Sequence, residues 1–408
     1  MPWKEVTAVN ERMEFVVRLK AGERMSDLCR EFGISRKTGY KFERRYEEYG
    51  PKGLYDISRR PKRLARQISP GIQTVILELK REKPTWGAAK IQEVLRRQHP
   101  QMELPVRSTI HDLLDRYGLV RKRSKRRRYH AYPTVGEADI RSPNPLWCAD
   151  FKGQFRMGNG KYCDPLTVTD FHSRYLLGCE AMETTKADST KQGFEFIFKE
   201  YGLPTRIRTD NGDPFSSRSV QGLSSLSVWW MRLGIQVERI EPGQPQQNGR
   251  HERMHRTLKE EVRPGVSQNL LAQQEQLDRF REDFNQRRPH EALKMKCPAD
   301  VYKPSLNRYP DRLPEPSYPH HDLVRPVRSN GFTYFQGKTF FISKALADQT
   351  IGFEEEDDGI WRIHFMDLDL GFLDEQTMKF TPISPEDSHQ RISSPSKRRT
   401  KMCDPCLR

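Results

Sequence analysis

Apolar residues recur at helical spacing in the first 50 residues of the chain, with polar residues between them. This pattern predicts one helix that begins at Ser26 and is stopped by Gly33, and a second that is capped by Ser35 and ends near Tyr49. Two helices joined by a short turn with glycine are typical of a helix-turn-helix unit. The second helix carries basic residues that suit a surface for binding phosphate groups: Arg36, Lys37, Lys41, Arg44 and Arg45.

A second helical unit is predicted from the next apolar pattern. The apolar stripe from Ile72 to Leu79 predicts a helix that Pro84 stops, and helices at 87–97 and 108–117 follow, the last capped by Ser108. The unit resembles a second helix-turn-helix. Two basic segments flank it and are predicted to be linkers, or arms along a nucleic-acid backbone: 58–63 and 121–128.

The pattern changes to strands from about Pro145. Strands are predicted at 146–151, 162–169, 173–183 and 204–209, and helices at 188–201, 217–233, 248–262 and 269–286. This order fits a mixed sheet flanked by helices. Six short strands with glycine turns follow between 324 and 373 and predict a small β-barrel-like domain, whereas the Ser-, Pro-, Lys- and Arg-rich residues beyond it predict disorder.

These patterns divide the chain into several domains of different fold class, with helical units first, an α/β region next and a small β region last. The predicted segments are a helix-turn-helix domain over 1–57, a second helix-turn-helix domain with basic linkers over 58–128, an α/β domain over 141–303, a small β domain over 322–376 and a disordered tail over 380–408.

The net charge of +16 is unevenly distributed over the 408 residues. Residues 1–128 hold 32 Lys and Arg against 16 Asp and Glu, so this segment alone has a net charge of +16 and the rest of the chain sums to zero. A basic charge confined to the predicted helical units indicates a polyanionic partner such as nucleic acid. The sequence has no apolar run long enough for a membrane span and no secretory signal, and its seven scattered cysteines do not suggest a disulfide framework. We therefore expect a reduced, cytoplasmic protein.

Three carboxylates occupy positions that suit metal chemistry. Asp150 lies within a predicted strand, Asp210 follows the end of another and precedes Asn-Gly, and Glu252 lies in the first turns of a predicted helix. Two aspartates from separate strands and a glutamate from a helix can converge on divalent cations, for which oxygen ligands with open positions suit Mg²⁺. Two such ions can stabilise both the attacking and the leaving oxygen in displacement at phosphorus.

Several motifs in order along the chain resemble one protein family. The segments 147–153 (WCADFKG), 169–175 (TDFHSRY), 208–212 (RTDNG), 248–259 (NGRHERMHRTLK) and 288–293 (RPHEAL) are similar to the successive motifs of insertion-sequence transposases with a retroviral-integrase-type catalytic core. The resemblance covers most of the chain, because helix-turn-helix modules before the core are also typical of that family.

The resemblance implies an RNase H-like catalytic core over 141–303, with Asp150, Asp210 and Glu252 as an Asp-Asp-Glu triad that holds two Mg²⁺ ions, or Mn²⁺ as a substitute. It implies Mg²⁺-dependent DNA cleavage and strand transfer, with the terminal inverted repeats and target DNA as partners. A homo-oligomer in a synaptic complex, on the nucleoid of a bacterial cytoplasm, is also expected. Arg256 and Lys259 share a helical face with Glu252 and are predicted to contact DNA phosphates.

Three alternatives remain open from the residues alone. The gap of 41 residues between Asp210 and Glu252 is longer than is usual for the family, which makes Glu238 and Glu241 rivals for the third carboxylate. The extra length is expected in the Ser- and Gly-rich stretch 216–227. Residues 251–255 also satisfy the H-E-x-x-H zinc-protease signature, which would make both histidines ligands. The alternative function is a non-catalytic DNA-binding regulator or a domesticated transposase remnant.

Overall fold

A computed structural model describes most of the chain, and the following account concerns those residues alone: 7–56, 68–120, 140–241, 244–262, 265 and 267–383. The predicted basic linkers, the predicted tail from 384 onward and the Cys403/Cys406 pair lie outside this range. The chain forms two compact units, Met1–Ser69 and Pro70–Arg408. None of the described helices is long and apolar enough to cross a membrane.

The first unit consists of three helices and a short 3-10 turn around a small apolar core. The elements are α1 (Ala8–Lys20), α2 (Met25–Glu31), α3 (Arg36–Tyr49) and the turn Gly50–Leu54. Phe15, Leu28 and Phe42 are buried between the helices. At Gly39 a Cβ atom would lie 2.7 Å from Met25 Sδ, so glycine permits the close packing of α2 on α3.

The ends of α2 and α3 test the predicted caps. Ser35 caps α3 as predicted, because its side chain accepts a hydrogen bond of 3.2 Å from the Thr38 backbone N–H. The predicted cap at Ser26 is wrong, since α2 already begins at Met25 and Arg24 occupies the cap position without a side-chain hydrogen bond. The start of α2 therefore depends on backbone geometry and packing.

Three further helices open the second unit: α4 (Pro70–Glu82), α5 (Ala88–Gln98) and α6 (Arg107–Arg116). The predicted cap at Ser108 is also wrong, because Val106 precedes α6 and offers no side-chain cap. Ion pairs attach these helices to the α/β part of the same unit, with Lys83 Nζ 2.9 Å from Asp283 Oδ1 and Arg97 2.8 Å from Asp300. The α4–α6 helices therefore belong to the larger compact unit.

A mixed five-stranded sheet lies at the centre of the second unit, in the order β5-β4-β1-β6-β7. The strands are β1 (Leu146–Phe151), β2 (Phe155–Arg156), β3 (Tyr162–Cys163), β4 (Leu166–Asp170), β5 (Leu176–Glu180), β6 (Arg206–Thr209) and β7 (Gln236–Arg239), with β2 and β3 forming a separate hairpin. Strand β1 pairs antiparallel with β4 and parallel with β6. The predicted mixed sheet is confirmed, and β7 is an addition, since its sequence, QVER, has a single apolar residue.

Four helices flank this sheet: α7 (Ala187–Tyr201), α8 (Ser225–Arg232), α9 (Gly249–Val262) and α10 (Leu270–Glu282), the last continued by a π-helical turn over Asp283–Arg287. Helix α8 is half the predicted length, because Ser224 caps it and residues before that serine form loops and a 3-10 turn. The core between sheet and helices is rich in aromatic side chains, including the fully buried Trp147, Phe198 and Trp230.

Seven strands form the last part of the chain, in a five-stranded sheet ordered β14-β13-β12-β11-β8 and a two-stranded sheet of β9 and β10. They are β8 (Leu323–Pro326), β9 (Phe332–Phe335), β10 (Lys338–Phe341), β11 (Thr350–Asp357), β12 (Ile360–Phe365), β13 (Leu368–Asp374) and β14 (Lys379–Pro382). The predicted barrel is not found, because β8 and β14 remain edge strands and no closed barrel forms within the described residues. Strand β14 also extends beyond the predicted boundary at 376, into the start of the predicted tail.

The extra residues between Asp210 and Glu252 have a structural use. Leu223 and Val228 pack into the hydrophobic core of the C-terminal sheets, together with Phe353. The Gln221 side-chain amide donates to the Asp369 carbonyl over 3.1 Å. The stretch 216–227 and the start of α8 therefore pack against the C-terminal β part.

Candidate active site

Asp150 lies near the carboxyl end of β1, where the buried part of this central strand gives way to partly exposed residues. Its side chain is 23% exposed, so the carboxylate can be reached from solvent although its backbone is inside the sheet. The antiparallel register pairs Asp150 with Thr167 of β4.

Asp210 directly follows β6, the parallel neighbour of β1. The register pairs Cys148 with Arg208, so the residues two positions further on, Asp150 and Asp210, leave the sheet at the same level. The Asp210 carboxylate accepts the Gly212 N–H at 3.1 Å, and the Asn211 side chain donates to the Ile240 carbonyl at 2.9 Å. The Asp-Asn-Gly segment therefore forms a turn that fixes the direction of the Asp210 side chain.

Glu252 lies in the first turn of α9 and is exposed to solvent. Buried Arg208 of β6 helps to position the start of this helix, because its guanidinium donates to the Gln247 carbonyl at 3.0 Å and pairs with Glu238 at 2.6 Å. Glu252 lies close enough to Asp150 for the two charges to interact.

The pKa of Asp150 reflects the nearby carboxylates. Burial raises its pKa to about 7, and the negative charges of Asp210 and Glu252 add to the shift. Neighbouring carboxylates repel one another when they are ionised, and a cation placed between them stabilises the ionised forms. The donor set therefore fits a hard divalent cation, for which carboxylate oxygens are the usual ligands.

A buried hydrogen-bond network lies on the sheet side of α9. The Thr167 hydroxyl donates to the Asp150 carbonyl at 2.9 Å and also lies 2.8 Å from His251 Nε2 and 2.6 Å from His255 Nε2. Because the one hydroxyl proton of Thr167 is used on Asp150, both imidazoles must donate to Thr167 through Nε2–H. His251 Nδ1 then accepts from the Thr169 hydroxyl at 2.8 Å.

Both histidines are neutral in this network. Burial lowers the pKa of His251 well below its usual value and that of His255 to about 3, with the nearby His255 adding to the first shift and Lys152 to the second. His255 Nδ1 faces Asp150 Oδ2 over 3.7 Å. The network thereby ties α9, which carries Glu252, to β1, which carries Asp150. Sequence reasoning missed this role, and only the residue types at 251 and 255 could have suggested it.

The zinc-protease alternative is not favoured by this arrangement. Asp150, His251 and His255 offer ligand atoms within 4.8 Å of one another. However, three of the four imidazole nitrogens are already hydrogen-bonded to threonine hydroxyls. Glu275, the conceivable third protein ligand, is an exposed residue of α10 that faces Arg279.

The rival glutamates have other partners. Glu238 pairs with Arg206 and Arg208, and Glu241 accepts a hydrogen bond from the Gln244 side chain. Asp170, another acid of the core, accepts hydrogen bonds from the Ser173 hydroxyl and the Asn144 backbone, which holds the turn after β4.

The predicted DNA-binding residues lie on two helices. Arg36, Lys37, Lys41 and Arg44 are exposed on α3, and Arg256 and Lys259 are exposed on α9. Arg45 differs, because its side chain is partly buried and donates to the Tyr55 carbonyl at 2.7 Å. The geometry thus gives Arg45 a role in joining α3 to the following turn.

Comparison with protein families identifies domains in both parts of the chain. A helix-turn-helix domain matches residues 11–62 and a homeodomain-like domain matches residues 38–114. Two integrase core domain families match residues 141–245 and 233–298. The integrase core matches thus include all three carboxylates.

Individual relatives include proteins of bacterial insertion elements. An uncharacterized 31.7 kDa protein of insertion element IS407 from Burkholderia multivorans is 23% identical over 226 residues, which cover 55% of this chain and 78% of the relative. An uncharacterized 39.2 kDa protein of insertion element IS476 from Xanthomonas euvesicatoria is 27% identical over 246 residues, 58% of this chain and 67% of the relative. The Pol polyprotein of Radiation murine leukemia virus is 32% identical over 118 residues, 29% of this chain and 19% of the polyprotein.

These matches confirm the resemblance drawn from the motifs. The chain combines N-terminal helix-turn-helix domains with an integrase core, and it is similar to proteins of insertion elements.

Proposed function

We propose that this integrase-core protein is the transposase of a bacterial insertion sequence, which cuts DNA at the element's ends and joins those ends to target DNA. The convergence of Asp150, Asp210 and Glu252 carries the proposal. Asp150 and Asp210 leave parallel strands at one level, and the charges of Asp210 and Glu252 both raise the pKa of Asp150.

The three carboxylates would hold Mg²⁺, with Mn²⁺ as a possible substitute. Two bound ions would stabilise the attacking and leaving oxygens of an in-line displacement at phosphorus. Asp150 and Asp210 bind from the sheet, where the strand register and the Asn211–Gly212 turn orient them. Glu252 binds from α9, which the histidine–threonine network holds against β1 and β4.

DNA binding would use the exposed cations of the two helices described above. On α3, Arg36, Lys37, Lys41 and Arg44 would contact a terminal inverted repeat, with phosphate contacts supplying most of the affinity. On α9, Arg256 and Lys259 would hold phosphates near Glu252. Cleavage at two ends would require at least two copies of the chain in a synaptic complex, on the nucleoid DNA of the bacterial cytoplasm.

The experiment is a strand-transfer assay with purified protein and DNA that carries the sequences flanking this gene. The wild type should cleave and join these ends in Mg²⁺ and do neither in EDTA. Asp150→Asn, Asp210→Asn and Glu252→Gln should each abolish cleavage while specific binding to the ends is retained. Glu241→Gln serves as the matched control and should remain active.

Three results would contradict the proposal in different ways. Cleavage by Asp150→Asn would show that Asp150 is not a ligand of the catalytic metal. Loss of specific binding in all three variants would mean that these carboxylates hold the fold together. A wild type that binds the ends but never cuts them would favour a non-catalytic regulator or a domesticated remnant.

A further inference from the structure

Three of the family-like motifs meet beside the turn between β4 and β5, which lies at the end of β1 opposite Asp150. They are the turn between β4 and β5 with Arg174, the first turns of α9 with Arg250 and Arg253, and the segment after the π-helical turn with His290. The proposed function uses none of these four side chains. We refer to Arg174, Arg250, Arg253 and His290 as the Arg174 cluster.

Side-chain hydrogen bonds fix the position of Arg174 beside the His290 segment. The Leu176 backbone N–H donates to Asn285 Oδ1 at 2.8 Å, and the Asn285 amide donates to the Leu176 carbonyl at 2.9 Å. The His290 ring packs edge-on against Phe284, the neighbour of Asn285, with centroids 4.9 Å apart. Arg174 precedes Leu176 by two residues and has a positive φ of 62°.

Helix α9 contributes two more cations to the same place. The Arg250 guanidinium lies 3.8 Å above the Phe171 ring, in the turn that contains Arg174, and donates to the Phe171 carbonyl at 3.1 Å. Arg253 follows by three residues, on the same side of α9, and is exposed. The cluster is therefore partly open to solvent.

Two side chains of the cluster lack acidic partners within the described residues. Arg174 and Arg253 have no carboxylate within ion-pair distance there, and the buried Arg174 Nε and His290 Nε2 have no hydrogen-bond partner. Burial lowers the pKa of Arg174 to about 10, with the charges of Arg250 and Arg253 adding to the effect. Burial and the nearby Lys90, Arg288 and Arg174 lower the pKa of His290 to about 3.

Buried donors without acceptors and cations that repel one another both cost free energy. A tetrahedral anion would supply the missing acceptors and reduce the repulsion, and guanidinium groups suit phosphate oxygens in particular.

We propose that the Arg174 cluster binds a backbone phosphate of the DNA that is cut in the active site; this ligand rests on the proposed function. The turn that carries Arg174 begins after Asp170, and Asp170 pairs with Trp147, which precedes Asp150 by three residues in β1. At about 3.3 Å per strand residue, this end of β1 lies about 10 Å from Asp150. Successive phosphates of one DNA strand advance by about 3.4 Å along the helix axis, so the bound phosphate lies within a few nucleotides of the reacting one.

The first test uses inorganic sulfate as the probe and requires no DNA. Sulfate should raise the melting temperature of the wild-type protein more than that of Arg174→Gln or Arg253→Gln, compared with chloride at equal ionic strength. Arg279→Gln changes an exposed arginine of α10 and should respond as the wild type does. An equal sulfate response in all four proteins would overturn the anion site. Arg253 is exposed, so its variant remains informative if Arg174→Gln fails to fold.

The second test identifies the phosphate. Single methylphosphonate groups, which lack the negative charge, are placed along a DNA duplex that carries the element end. Replacement at one position within a few nucleotides of the cut should weaken wild-type binding about tenfold, as expected for one charge-assisted contact. Arg174→Gln and Arg253→Gln should bind the unmodified duplex about tenfold more weakly and should lose nothing further at that position.

The outcomes separate this inference from the proposed function. If the wild type cuts element ends but no phosphate position is coupled to Arg174 or Arg253, the assignment of the cluster is wrong and the function stands. If the wild type neither binds nor cuts these ends, the proposed function and the DNA ligand both fail, while the sulfate response still decides whether an anion site exists.

Discussion

The exposed surface of α3 and the proposed active-site edge of the sheet both concentrate polar side chains, but these side chains are held in different ways. On α3 the cations project from a small helical core and are exposed. At the proposed active site, Thr167 and His251 are buried, and they join β1, β4 and α9 through shared hydrogen bonds. Substitutions of the exposed cations on α3 should therefore change DNA affinity alone, whereas substitutions at the sheet edge should also change folding stability.

The largest stability effect is expected for Thr167→Val. This change keeps the side-chain shape but removes the hydroxyl that receives both Nε2–H groups, and each unsatisfied buried donor costs about 1–3 kcal/mol. We expect the free energy of unfolding to fall by about 2–4 kcal/mol, measured by urea denaturation.

Thr209→Val is the matched control for that measurement. Thr209 is equally buried in the neighbouring strand β6, and its hydroxyl has no hydrogen-bond partner within the described residues. Removing it should leave the protein as stable as the wild type, or slightly more stable. Equal losses for Thr167→Val and Thr209→Val would show that the network does not stabilise the sheet edge.

A smaller effect should appear in the pH dependence of stability. The pKa of Asp150 is raised to about 7 in the folded protein, against about 4 for an unfolded aspartate. Between these values the folded state binds more protons, so without divalent cations the wild type should lose stability as pH rises from about 4 through 7.

Asp150→Asn should lack this loss. In EDTA the melting temperature of Asp150→Asn should therefore rise relative to that of the wild type as the pH is raised from 5 to 8. Added Mg²⁺ should reduce the difference between the two proteins at pH 8. Parallel melting curves for the two proteins across this range would mean that the three carboxylates do not interact as described.

The smallest stability effects are expected on α3, where they separate Arg45 from its neighbours. Lys41→Ala with Arg44→Ala should leave the free energy of unfolding within about 0.5 kcal/mol of wild type, while the slope of log affinity against log salt falls by about two units. Arg45→Ala should lose about 1 kcal/mol, because the hydrogen bond to the Tyr55 carbonyl is removed. Unchanged salt dependence in the double variant would show that these cations of α3 do not contact DNA.

The two regions also differ in how far the sequence could predict them. Ser35 could be recognised as the cap of α3, and the strand that contains Asp150 could be recognised from its apolar run, because these signals are local. The histidine–threonine network could not be recognised, since Thr167 and His255 are 88 positions apart and meet only when α9 packs on the sheet.

Other differences have equally physical causes. The polar strand β7 becomes a strand through its pairing with β6, and a local apolar pattern could not reveal it. Residues between Asp210 and Glu252 pack against the C-terminal sheets, which a local pattern could not reveal either. The barrel prediction was wrong because strand number and glycine turns do not determine whether the edge strands pair.

Asp150, Asp210 and Glu252 are proposed to bind the divalent cation together. Calorimetric titration of the purified protein with Mg²⁺ at pH 8, without DNA, measures this binding. Mg²⁺ should bind to the wild type and to Glu241→Gln, and binding should be lost in Asp150→Asn and strongly weakened in Asp210→Asn and Glu252→Gln. Undiminished Mg²⁺ binding by Asp150→Asn would contradict this proposal.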